Sequence, residues 1–405
     1  MDVVFLSPHY PPDMVHFTRG LADVGARIRA VGDVPLDQVP EAVRRHLAGY
    51  LQVSSWQDLG RAAEEIERWI RGSHVDRVET LWEPLIMLAA ELRRRTGCPG
   101  LLPEQAILFR DKVKMKAQVA AAGLRTPRGI RAHSVADCIA ATHEIGFPVC
   151  VKPVAGAGSQ DTYRVNNAAE LQQIAPLLRH VPEVTVEEFI DGDEFTFDAL
   201  WKDGEPVFHS ITQYFPRPLE SRQNEWISPA QITFRHPDAP EFHDAQELAR
   251  GVVRALGLRS GFTHMEWFRN SRGEAVFGEI GARSGGGHLV DMMNYSNDCD
   301  LFRGWAELAC YGRFSEPVHR RYHVGLVFKR AEGQGRIRAI HGAEKVLSVC
   351  GGHIVREELL PIGAARRDWR QTVISDGFVC VRHPELDRVR QMVRVLVSDL
   401  RLYAS

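Results

Sequence analysis

FTHMEWFRNSRGEAVFGEIGARSGGGH, residues 262–288, sets two apolar runs on either side of the turn Asn270-Ser271-Arg272-Gly273. Runs of this kind around an Asn/Gly-rich turn predict a β-hairpin. One run carries Glu266 and the other Glu279, and in a hairpin both can point to the same side of the sheet. Neighbouring carboxylates in apolar surroundings repel unless a cation lies between them. Such hard oxygen ligands suit Mg2+, which is usually held by one or two carboxylates plus nucleotide phosphates. The same local pattern also fits two partly exposed glutamates at a sheet edge, so the rest of the chain must decide. Arg283 follows Glu279 by four residues and leads into Gly285-Gly286-Gly287. Its planar fork suits a phosphoryl or carboxylate group, and the glycines let backbone approach a ligand closely. His264, two residues before Glu266 and on the same strand face, is a candidate for substrate contact or for a structural role.

Lys152 sits in Val-Cys-Val-Lys-Pro-Val, where an unpaired ammonium would be costly to bury. The loop after it, Ala155-Gly156-Ala157-Gly158-Ser159-Gln160, offers backbone N–H groups able to wrap a phosphate, although it is not a P-loop. Upstream, Pro103 opens a predicted helix over 104–122 that Gly123 ends, with Asp111-Lys112 near its middle. Lys112, Lys114 and Lys116 cannot share one helix face, so most of them are expected to be solvated surface. TVEEFIDGDEFTFDAL, 185–200, places Phe195, Phe197 and Ala199 on one side and Glu194, Thr196 and Asp198 on the other. Glu187–Ile190 then reads as exposed backbone before the turn Asp191-Gly192-Asp193. Free main-chain groups are what adenine recognition needs.

At 405 residues the chain predicts two or three domains. An apolar content of 44% with 25% charged residues is that of a soluble globular protein. The net charge of −2 points to neither nucleic acid nor membrane as partner. No apolar run approaches the ~20 residues that span a bilayer, and the start MDVVFLS lacks a signal-peptide pattern. Seven cysteines without a C-x-x-C pair argue against a disulfide framework or zinc site, so a cytoplasmic location is expected. Residues 1–100 alternate apolar runs (3–7, 26–32, 77–82) with helical stretches such as 56–70, which predicts a parallel sheet with covered faces. There is no G-x-G-x-x-G after the first run, hence no dinucleotide fingerprint. Period-two patterning over 147–213 carries hairpin signals at 191–193 and 202–204. Helix is expected at 241–257 and in a closing segment 385–402, whose apolar stripe fits core packing.

Taken in order, these pieces resemble the ATP-grasp superfamily: Asp111-Lys112, Lys152 with GAGSQ, EEFIDGDE at 187–194, Glu266, and Glu279 to Arg283. The match spans about 110–290. The resemblance implies an N-terminal parallel α/β domain (1–105), a two-part ATP-grasp domain with antiparallel sheets (106–185 and 186–318), and a small mixed α+β domain (319–405). It also implies that Lys112 and Lys152 hold the phosphates of ATP, covered by the loop with Gly156, Gly158 and Ser159. The backbone of Glu187 and Ile190, beside Glu188, would read adenine, and Glu194 would bind the ribose. Glu266 and Glu279 would bind one or two Mg2+ ions, replaceable by Mn2+, and Arg283 would steady the transferred phosphoryl group. His264, Arg283, Gly286 and Gly287 are the candidates for substrate contact. Many members carry Glu-x-Asn where this chain has Gly281, which puts the second metal ion in question.

The implied function is ATP-dependent joining of a small-molecule carboxylate to an amine through an acyl phosphate. The Glu-x-x-Ala-Arg version followed by glycines is most similar to the L-amino-acid (dipeptide) ligase branch. The glycine loop and residues 147–213 are expected to close over ATP. Specificity is expected from the Arg283 loop, Tyr214–Trp226 and Ser7–Asp13. The alternatives are a carboxylating or purine-biosynthesis-type ligase, and a nucleotide-binding sensor without catalysis. A homodimer is the default assembly, being the commonest.

Overall fold

Short apolar strands separated by helices with one apolar face cannot stay exposed, and in the first hundred residues they form a covered parallel sheet. The computed structural model describes residues 1–154, 161–372 and 374–405. Strands β1 (Asp2–Leu6), β2 (Arg27–Gly32), β3 (Leu47–Gln52) and β4 (Arg77–Glu79) lie in the order β3-β2-β1-β4, all parallel. Helices α1 (Met14–Asp23), α2 (Glu41–Arg44), α3 (Leu59–Ile70) and α4 (Ile86–Thr96) accompany it. Asp58 caps α3 by accepting from the Arg61 N–H, and Ala62, Ala63, Ile66 and Ile70 are the buried stripe.

The helix expected over 104–122 is two. Helix α5 (Pro103–Ala106) ends in a single tighter turn, and α6 (Lys112–Ala121) starts afresh. The cause is Asp111, whose carboxylate accepts from the N–H groups of Val113 and Lys114 and so defines a new N-terminus. Lys112 is therefore a first-turn residue.

A small antiparallel sheet follows, built from β5 (Gly129–Ala132), β6 (Val149–Pro153), β7 (Tyr163–Val165) and β8 (Val184–Glu188) in the order β5-β8-β6-β7. With α7 (Val135–Ile145) and α8 (Ala168–Ile174) it encloses a core of its own, including Cys138, Ile145, Val149, Val151 and Val186.

The large sheet has eight strands in the order β13-β12-β9-β10-β11-β14-β18-β17. They are β9 (Gly192–Lys202), β10 (Glu205–Phe215), β11 (Ala230–Thr233), β12 (Gly261–Asn270), β13 (Ala275–Gly281), β14 (His323–Phe328), β17 (Ile354–Leu359) and β18 (Gly377–His383). The strands after residue 319 thus continue the sheet that begins at Gly192. Two further strands, β15 (Glu332–Gly333) and β16 (Ile337–His341), join β19 (Arg401–Ala404) in a three-stranded sheet. One face of the large sheet packs Phe195, Phe197, Trp201 and Trp267 under α10 (His243–Leu256). The other face meets α11 (Leu289–Asn297), α12 (Leu301–Tyr311) and the first sheet through Phe5, Phe17, Leu200 and Phe208. The remaining helices are α9 (Pro218–Gln223), α13 (Ala343–Cys350) and α14 (Leu386–Ser398).

Three further expectations change. Asp191-Gly192-Asp193 is not a hairpin turn, because β8 and β9 lie in different sheets. Gly192 makes that crossing at φ +150°, where an added Cβ would lie 2.0 Å from the Arg269 carbonyl oxygen. Residues 147–213 are accordingly no single unit; the segment with its own core is 129–188. The closing helix stops at Ser398, and Arg401–Ala404 leave it as a strand. No cysteine forms a disulfide. Among the described residues no helix is long and apolar enough to cross a membrane.

Candidate active site

The cleft lies between the small sheet and the strands β9, β12 and β13 of the large one. In the β12–β13 hairpin Glu266 and Glu279 are directly opposed, and a register shift follows Glu266. Both are partly exposed and line the same cleft as Lys112, Lys152, Glu187 and Glu194.

Lysines from two elements converge on carboxylates there. Lys112 Nζ donates to Glu279 Oε2 at 2.5 Å. Lys152, at the end of β6, lies 3.0 Å from Glu187 Oε2 and 3.9 Å from Glu279 Oε2. Lys116 also pairs with Glu187. The expectation that most lysines of this helix are surface groups thus fails for two of three. Starting α6 at Lys112 puts Lys112 and Lys116 one turn apart on a buried face, while Lys114 alone is exposed. Burial lowers Lys116 to about 8 against the pull of Glu187. Burial acts on Lys152 too, but Glu187 and Glu279 prevail and hold it above the ordinary lysine range. Burial would raise the Glu279 carboxyl, yet Lys112 and Lys152 keep it down at about 2.

Glu187 belongs to β8, with β5 on one side and β6 on the other, so its side chain is what faces the cleft. Glu188 also borders the cleft and pairs with Arg125. The Ile190 carbonyl accepts from Arg217 Nη1 at 2.9 Å. Arg217 also lies 3.3 Å from Glu194 and covers the rings of Phe189 and Phe268. Burial, with Glu266 nearby, raises Glu194 to about 8 despite that arginine. Gly156, Gly158 and Ser159 lie outside the described residues.

Beyond the hairpin, His264 Nδ1 is 2.8 Å from Asp198 Oδ1 and its Nε2 is 3.6 Å from Glu266. Burial works against its proton, but Asp198 dominates and raises His264 to about 9. The glycine loop rests on this pair: a Cβ on Gly285 would lie 2.8 Å from Asp198 Oδ1 and 3.1 Å from His264 Nδ1. Gly286 faces open space, and the Gly287 carbonyl accepts from Gln231. Arg283 Nε donates to Glu83 Oε2 at 2.9 Å, and Arg110 pairs with the same glutamate.

The sequence assigns no site role to Lys116, Asp198 or Glu83, and holds Arg217 only within the Tyr214–Trp226 stretch. Lys116 was legible from its i,i+4 relation to Lys112 once Asp111 is read as a cap. Glu83 and Arg217 carry no local signal, since only the tertiary fold brings them to the cleft.

The donor set suits Mg2+: Glu266 and Glu279 present hard carboxylate oxygens on one wall of the cleft. An ATP-grasp domain model matches residues 145–291. The chain is also 30% identical over 305 residues to a formate-dependent phosphoribosylglycinamide formyltransferase of Synechocystis, covering 70% of this chain and 71% of that protein. The chain belongs to the ATP-grasp family. Within the ATP-grasp proteins it is 26% identical over 244 residues to an L-arginine-specific L-amino acid ligase of Bacillus subtilis. That alignment covers 58% of each chain, so less than two thirds of this relative's length is matched. The crystal structure of an L-amino acid ligase from Bacillus licheniformis superposes with a TM-score of 0.79 and 20% identity, covering 100% of this chain and 98% of that one. At that identity the likeness is one of ATP-grasp fold.

Proposed function

We propose that this ATP-grasp protein is an ATP-dependent carboxylate–amine ligase acting on amino acids. The observation that carries the reading is the direct opposition of Glu266 and Glu279 across one hairpin, facing Lys112 and Lys152. A metal-bound triphosphate would satisfy both sets, with Lys112 and Lys152 able to hold phosphate oxygens and Glu266 and Glu279 able to hold the cation. The likeness to the Bacillus subtilis ligase supports amino acids as the substrate class.

In this reading Lys112, Lys116 and Lys152 bind the phosphates, and Phe189, Ile190 and Phe268 enclose the base. Glu194 serves the ribose. Glu266 and Glu279 would hold Mg2+ or Mn2+, which neutralises charge on the phosphates when bound. A substrate carboxylate oxygen attacks the γ-phosphorus and ADP leaves, giving an acyl phosphate. The lone pair of an unprotonated amine then attacks the acyl carbon. Phosphate departs with the bonding electrons, and the amine gives up one proton to solvent. Arg283, held by Glu83, is placed to steady the phosphoryl oxygens. The segment 129–188, with its separate core, is the part free to close over ATP and exclude water. ATP and free amino acids are both cytoplasmic, which is where we place the reaction.

Phosphate release from ATP and Mg2+ against pooled amino acids, with formate and bicarbonate as separate pools, tests this. Release that requires amino acids, with a product lighter than its parents by one water, supports the ligase. Release with formate or bicarbonate alone would move the assignment to the second reading, which the similarity to the formyltransferase favours.

A further inference from the structure

Away from the lysine cleft, Asp13, His288 and Asp291 place one ligand-capable atom each within 4.8 Å of one another. Asp13 precedes α1 in the loop after β1, at the carboxyl end of a parallel strand, where open α/β sheets take their ligands. His288 and Asp291 lie where the glycine loop carrying Arg283 enters α11. The cluster thus links the loop after β1 to the same glycine loop whose Gly285 rests on Asp198 and His264.

Its bonding is incomplete in one direction. His288 Nδ1 lies 2.8 Å from Asp291 Oδ2. A carboxylate only accepts, so Nδ1 carries the hydrogen and Nε2 of the neutral ring is an acceptor. His288 is 7% exposed, with Phe378 against its ring at 4.2 Å, and its buried Nε2 has no hydrogen-bond partner among the described residues. No side-chain cap bond engages Asp13, and burial raises its carboxyl against the pull of His288. Asp291 Oδ2 takes a second donor, Arg356 Nη1, at 3.0 Å. Arg356 also pairs with Glu358, which is exposed and screened by water.

The donors decide what the cluster lacks. Asp13 and Asp291 present carboxylate oxygens, His288 Nε2 has no partner among the described residues, and the guanidinium of Arg356 already lies against Asp291. A divalent metal would lie beside that guanidinium, whereas a protonated nitrogen brings N–H groups to Asp13 and His288. From this geometry we infer that Asp13, Asp291 and His288 form a subsite for a cationic nitrogen of the amino acid whose carboxylate is activated. The attacking amine is excluded, because a nitrogen held by carboxylates keeps its proton and has no lone pair to offer. This inference rests on the ligase reading. The same chemistry comes from an α-ammonium or from a basic side chain.

The test measures phosphate release from the full-length enzyme and Asp13→Asn with each L-amino acid, with des-amino acids (propionate, 3-phenylpropionate), and with lysine and arginine against norleucine. Asp13→Asn is expected to raise the amino-acid KM by about tenfold or more, as for a lost charge-assisted contact, with the KM for ATP unchanged. Uniform loss across amino acids but not des-amino acids assigns the α-ammonium; loss confined to lysine or arginine assigns the side chain. An unchanged amino-acid KM in Asp13→Asn and Asp13→Ser, with melting temperatures like the parent's, overturns the inference while leaving the ligase intact. Calorimetric binding of Mn2+ or Zn2+ alone that vanishes in Asp13→Asn overturns it in favour of a metal. Phosphate release indifferent to every amino acid removes the ligase reading and this subsite with it.

Discussion

Arg283 donates through Nε to Glu83 at 2.9 Å, across 200 positions of sequence. The second oxygen of Glu83 pairs with Arg110, just ahead of the Asp111 cap. One carboxylate from the short turn between β4 and α4 thus holds an arginine of the glycine loop in place. Replacing Glu83 by Gln keeps its shape but loosens the clamp, and turnover should fall roughly tenfold to a hundredfold, the range for a misplaced catalytic contact. Arg283→Ala should nearly abolish turnover while ATP still binds. Steady-state kinetics beside nucleotide calorimetry checks both; normal kcat in Arg283→Ala would remove it from the mechanism.

Glu279→Gln tests the paired-carboxylate argument. It should lower kcat by about a hundredfold or more, as for removal of a preorganised charge, and shift the Mg2+ activation curve to higher concentration. An activation curve unaltered by the substitution would show that Glu279 is not a metal ligand.

Lys116→Met leaves Glu187 with Lys152 as its remaining cation. The expected destabilisation is roughly 3 kcal/mol, the low end for a broken buried pair, and the KM for ATP should rise. Chemical denaturation gives the first quantity. A variant as stable as the parent would mean that Lys116 and Glu187 do not depend on each other.

His323 carries a pH prediction. Burial, with His236 and Arg235 nearby, lowers it from 6.5 to about 4, and its Nδ1 accepts from the Arg235 N–H. The folded state therefore resists a proton that the unfolded chain accepts below 6.5. Its contribution to stability is full above pH 6.5 and is lost as pH falls toward 4. Melting temperatures between pH 4 and 7 should drop less steeply in His323→Gln; identical slopes would assign the acid sensitivity elsewhere.

Local pattern went far here because the key hairpin is local: an Asn/Gly-rich turn and alternating apolar residues predict the register that opposes Glu266 and Glu279. The parallel first sheet was legible for the same reason, although β3, with its partly exposed residues, left no strong apolar run. Reading failed where a side chain overrides a pattern or a long-range contact decides. Asp111 cuts a helix that propensity would run through, and Lys116 was misplaced as a result. Gly192 looks like a hairpin turn but carries the chain from one sheet to another, a distinction set by partners some 75 residues downstream (Arg269 and Asn270).

The order β13-β12-β9-β10-β11-β14-β18-β17 also has a consequence in time. Synthesis delivers the Glu266–Glu279 hairpin by Gly281, yet β11 obtains its outer neighbour only when His323–Phe328 have emerged. Until then Ala230–Thr233 present an unpaired edge, the kind of surface that recruits another chain. The last strands thus cover an edge of the same sheet whose other end carries the Glu266–Glu279 hairpin.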